Sequence, residues 1–150
     1  MPFYAAAREG VTPTAGNMLL GATTGLQEVG KLRDMAVDGE AASAGINRMA
    51  LRRSTTNLTT PTAQTPADRG PSGSAPYIDY STTATGEPTT AAAPAAWTRA
   101  LQAYGGSIRV QFPDGQEVII QGATAGNNEV TLESSSGTNV ISCEQVWEEL

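Results

Sequence analysis

A chain of 150 residues has room for one ordinary domain. It contains no histidine and one cysteine, Cys143, which removes the usual general base, any His-containing triad, an intramolecular disulfide and a cysteine cluster for zinc or iron–sulfur. The net charge of −6 is unevenly placed, with six basic and five acidic groups in residues 1–53 and three basic and ten acidic groups in residues 54–150, so phosphate neutralisation by the second part is disfavoured.

Residues 1–25 scatter Pro2, Pro13 and several glycines among isolated apolar groups without a sustained helical or strand period. They are predicted to form an extended N-terminal arm that is either mobile or ordered by lying against something else. The start MPFYAAAREGVTP lacks the basic-then-apolar order of a signal peptide, and no apolar run reaches membrane-spanning length, so a soluble chain is expected.

Residues 26–150 are read as one domain. From Leu26 to Val37 the pattern fits a helical stripe, with Thr24 as its cap, while Leu32 to Val37 fits a buried strand equally, and the two remain open. SAGINRMALRRSTT reads as a strand, with Asn47, Met49, Leu51 and Arg53 alternating with Ile46, Arg48, Ala50 and Arg52. Its Arg48, Arg52 and Arg53 read either as solvent-facing charges that discourage edge pairing or as interface anchors, because a planar guanidinium pairs bidentately with a carboxylate.

Residues 54–96 hold six of the nine prolines and eleven threonines but only four charged residues. Such a stretch is expected to be mostly irregular and pinned over the sheet surface, with YIDYST as a short strand. The remaining segments, WTRALQAY, SIRVQF, QEVIIQG, NEVTLES and NVISCEQVWEE, are short, rich in β-branched and aromatic residues, and separated by turn chemistry. Pro113, Asp114 and Gly115 predict a hairpin between SIRVQF and QEVII. In NEVTLES, Val130 and Leu132 share one face while Glu129, Thr131 and Glu133 share the other. In the last strand Ile141, Cys143, Gln145 and Trp147 alternate with Val140, Ser142, Glu144 and Val146. The predicted fold class is all-β: strands at this spacing with no intervening helical pattern form an antiparallel sandwich or barrel, with an N-terminal arm and a long Thr/Pro-rich excursion.

Little in the sequence carries chemistry. No spacing brings two carboxylates into a cleft, and GNMLLGATTG has no GK[ST] and so no phosphate loop. Cys143 reads as a buried core thiol. Asn57, Leu58 and Thr59 spell a glycosylation sequon. Trp97, Tyr77 and Tyr80 are either core rings or stacking platforms for a glycan. Neither an enzymatic reaction nor any cofactor or metal is expected, and a surface-binding protein remains.

The order of a short arm, LQEVGKLRDMAV, the NRMALRRSTT strand running into TTPTAQTPADRGPSGSAP, then WTRALQAY and a C-terminal VISCEQVWEE strand resembles small β-sandwich virion proteins of tailed bacteriophages. The resemblance implies a jelly-roll-like antiparallel β-sandwich that serves as a homo-oligomeric structural subunit, with a decoration or cement protein on the outer capsid as the leading expectation. Neck, tail or fibre attachment is the alternative, and a glycan-binding module is the rival from another class. The expected partners are major capsid or other virion subunits and further copies of the chain, a trimer being favoured because three arms at a local three-fold multiply weak contacts; nucleic acid and membrane are not expected. Phe3, Tyr4, Arg8, Arg48, Arg52 and Arg53 are the candidate partner-binding residues.

Overall fold

A computed structural model describes residues 2–56, 59–69, 75–86, 95–124 and 128–150. Among them the regular elements are all strands: β1 (Phe3–Val11), β2 (Met18–Thr23), β3 (Val29–Glu40), β4 (Ile46–Arg53), β5 (Thr59–Ala63), β6 (Ala67–Asp68), β7 (Asp79–Gly86), β8 (Trp97–Gln102), β9 (Tyr104–Gln111), β10 (Val118–Gln121), β11 (Glu129–Ser136) and β12 (Ile141–Glu149). They form two antiparallel sheets. Sheet I runs β10-β3-β12-β1-β6, with β9 also on β3, and sheet II runs β5-β7-β2-β11-β4-β8.

With β5, β6 and β7 set aside, sheet I reads β1-β12-β3-β9/β10 and sheet II reads β2-β11-β4-β8. Successive strands therefore cross from one sheet to the other, except between β4 and β8 and between β9 and β10, which share one edge of β3. This is the strand order of a jelly roll. The predicted all-β sandwich is what the chain forms.

Alternation puts the core between the sheets. Tyr4, Leu32, Met35, Val37, Ile141 and Trp147 of sheet I meet Leu20, Met49, Leu51, Leu101 and Leu132 of sheet II. On β12, Ile141, Cys143, Gln145 and Trp147 face inward as the period of two requires, and the Trp147 indole N–H donates to the buried Gln145 side chain at 3.2 Å. At the corner where β8 passes into β9, any Cβ on Gly39 or Gly106 would fall on the Ala103 or Gln102 carbonyl, so only glycine admits that close approach.

The N-terminal arm is not observed. Residues 3–11 are β1, hydrogen-bonded between β12 and β6, and residues 18–23 are β2, between β11 and β7. Their sequence hides this because alanines and Gly21 provide little hydrophobic contrast, and MLLGA is buried on both faces and so does not alternate. The ambiguous segment resolves as strand β3; Thr24 caps no helix and instead donates to the Gly122 carbonyl at 3.0 Å.

Nor is there a hairpin over 107–120. Gln111 opposes Asp34 and Val118 opposes Leu32, so β9 and β10 run in line along one edge of β3, with Phe112–Glu117 as an excursion between them. Pro113 carries no N–H for the ladder, and Gly115, at φ 84°, turns the chain back to the same edge. The strands described within the Thr/Pro-rich excursion lie at the margins of the sheets and not over a face. Strand β7 pairs with β2, β5 extends that sheet outward, and β6 pairs with β1. Asn57 and Leu58 of the sequon lie outside the described residues.

Candidate interaction surface

The six residues expected to bind a partner are dispersed by the fold. Tyr4 is 1% exposed in the core cluster, because its place on β1 points the ring between the sheets. Arg8 also points inward, donating to the Thr82 carbonyl at 2.9 Å and the Leu19 carbonyl at 3.4 Å, and so braces β1 against the opposite sheet. The Arg53 guanidinium donates to the Ile119 carbonyl at 2.6 Å, a second cross-sheet brace, and burial holds its pKa below the usual arginine range. Arg52 pairs with Glu133 of β11 at 2.6 Å. Since β4 is flanked by β11 and β8, none of its arginines guards a sheet edge. Only Phe3, half-buried on the outer face of sheet I, and Arg48, exposed on the outer face of sheet II, remain available.

The outer face of sheet I has two parts. Near the β9–β10 break, Arg33 collects three carboxylates: Asp114 at 2.5 Å, Glu117 at 2.7 Å and Glu148 at 2.5 Å. The backbone amides of Glu117 itself and Gly115, with Arg33 and Lys31, hold the Glu117 carboxyl below the usual range. Beside this network a shallow groove runs between Phe3, Phe112, Pro113 and Val146. Towards the other end Ala7 and Ala36 form a floor rimmed by Glu9, Asp34, Asp38 and Glu144, with Arg109 turned onto Asp34 at 2.5 Å. Hydrogen bonding to Asp34 raises the Arg109 pKa.

Sheet II differs. The alternation expected in β11 is present, but both of its faces are shielded: Glu129, Thr131 and Glu133 are at most 5% exposed. At the β4–β8 margin Arg48 and Arg99 line one recess with Thr98 and Ser135.

Cys143 is free and buried, and burial pushes its thiol up to about 12 against the opposing effect of Arg8, far from a thiolate nucleophile. Glu149 is fully buried and accepts the Tyr77 and Ile78 amides at 3.0 Å each and the Tyr80 hydroxyl at 3.4 Å, fastening the start of β7 to the end of β12. Burial raises its carboxyl above the ordinary range. Tyr80 and Trp97 are core rings, which leaves Tyr77, 42% exposed, as the sole member of that trio on the surface.

Reading the sequence missed Arg99 and Phe112, whose importance comes only from what the sheet sets beside them. It missed Glu149 as well, since no pattern signals a carboxylate buried on backbone amides. No family model, curated protein or solved structure matches this chain.

Proposed function

We propose that the chain is a structural virion subunit, a decoration or cement protein that oligomerises on the outer surface of a phage head and bridges capsid subunits. The supporting observation is the jelly-roll strand order, with the long excursion between β4 and β8 spent on widening the sandwich along β1 and β2. Jelly rolls recur in viral shells, an association at the level of fold. The outer faces are broad and carry opposite charge at two places, which suits attachment by surface and not turnover of a substrate.

Immunogold labelling of purified phage particles with antibody to this chain tests the assignment. Gold on the head is expected. Gold confined to the neck or tail replaces the cement role with an attachment role, and particles free of label overturn the virion reading.

A further inference from the structure

We propose that the Arg48–Arg99 recess of sheet II docks onto the acidic outer face of sheet I of a second copy of this chain, at Glu9 and Asp38. The inference rests on the self-assembling subunit proposed above and names the surfaces by which it assembles.

The cations supply the first observation. The chain has nine, all within the described residues. Lys31, Arg33, Arg52, Arg69 and Arg109 lie on carboxylates, and Arg8 and Arg53 brace backbone carbonyls across the sandwich. Arg48 and Arg99 have no carboxylate partner among the described residues; Arg99 reaches only the carbonyl of its neighbour Thr98, at 2.8 Å. Both residues line the same recess at the margin of sheet II, Arg48 from the outer face of β4 and Arg99 from the edge strand β8, where it lies opposite Met49, together with the hydroxyl-bearing Thr98 and Ser135. Two planar donor forks beside hydroxyls form a receptor for carboxylates.

The acceptor is on the opposite face of the same fold. Glu9 on β1 and Asp38 on β3 are exposed and have no cation partner among the described residues. They rim a floor of Ala7 and Ala36, whose short side chains let a partner surface approach closely. The sandwich is two sheets thick, so its basic recess cannot reach its own acidic face; the complement must come from another molecule. At a net charge of −6 two copies repel on average, and this orientation sets opposite charges together, fixing register as well as attraction. Two different patches in contact make a head-to-tail interface, which closes into a ring when the rotation per copy divides a full turn. A three-membered ring is the arrangement that matches the proposed function.

Four full-length proteins test this by sedimentation velocity at low salt: wild type, Arg48→Glu/Arg99→Glu, Glu9→Arg/Asp38→Arg, and the quadruple variant carrying both exchanges. All four positions are exposed, and native melting temperatures check that the fold is kept. Each double variant is expected to weaken self-association about tenfold or more, and the quadruple variant to recover to within about threefold of wild type, because the pair is restored with its sign inverted. Undiminished assembly of the doubles shows that copies meet elsewhere and overturns this interface. Failure of a natively folded quadruple variant to recover, or a wild type that stays monomeric up to about 1 mM, overturns it equally. In each case particle labelling still decides the virion reading separately.

Discussion

Replacing Tyr4 by alanine separates a core strand from a loose arm. Tyr4 is 1% exposed, one position from Phe3, which is half-buried on the outer face. An aromatic ring buries about 150–250 Å², worth about 4–6 kcal/mol at ~25 cal/mol per Å², and aromatic-to-alanine changes in cores cost about 3–5 kcal/mol. A loss of about 4 kcal/mol is therefore expected for Tyr4→Ala and about 1 kcal/mol for Phe3→Ala. Urea unfolding followed by fluorescence is suitable, because Trp147 and Trp97 lie in the core. With a slope of about 2 kcal/mol per molar, the midpoint falls by about 2 M for Tyr4→Ala and about 0.5 M for Phe3→Ala. Should Tyr4→Ala fail to fold, Tyr4→Leu preserves the ordering with a smaller loss. Midpoint shifts below about 0.5 M for both would mean that residues 3–11 contribute no strand to the sandwich, refuting the reasoning.

Two further outcomes follow from buried titratable groups. The Cys143 thiol, pushed up to about 12 by burial, is expected to resist a thiol reagent in the native protein and to react at once in denaturant; rapid stoichiometric labelling of native protein at pH 8 contradicts this. For Glu149 the folded-state pKa lies above its ordinary value, so the folded chain holds that proton more tightly and the resulting stability is present below about pH 4.5, then lost as pH rises through the raised value. Urea midpoints of wild type minus Glu149→Gln should accordingly fall with rising pH across that window and then level off, whereas a difference that grows with pH would show that the three donated hydrogen bonds outweigh burial.

The fold class was legible because the C-terminal half obeys the simplest rule of sheets. Ile141, Cys143, Gln145 and Trp147 point one way whatever their partners are, and Val130 with Leu132 does the same. The first two strands were not legible because their neighbours come from distant segments: β1 is held by β12 and β6, and its Ala5 to Ala7 become strand only when those edges arrive. The turn at Pro113–Gly115 was recognised correctly as a turn and wrongly as a hairpin, since local chemistry specifies a reversal and not the edge to which the chain returns. For the candidate surface, residue type identified the arginines of β4, but which of them is free depends on partners such as Glu133 and the Ile119 carbonyl, far away in sequence.

The break between β9 and β10 has a consequence for crowding. An unbroken lateral margin along β3 would offer every neighbouring molecule a row of idle amides and carbonyls, an invitation to fibre growth. By looping out after eight residues, with Arg33 gripping the loop, that margin is too short and too interrupted to template another backbone. Such molecules can then be crowded together without this margin joining one backbone to the next.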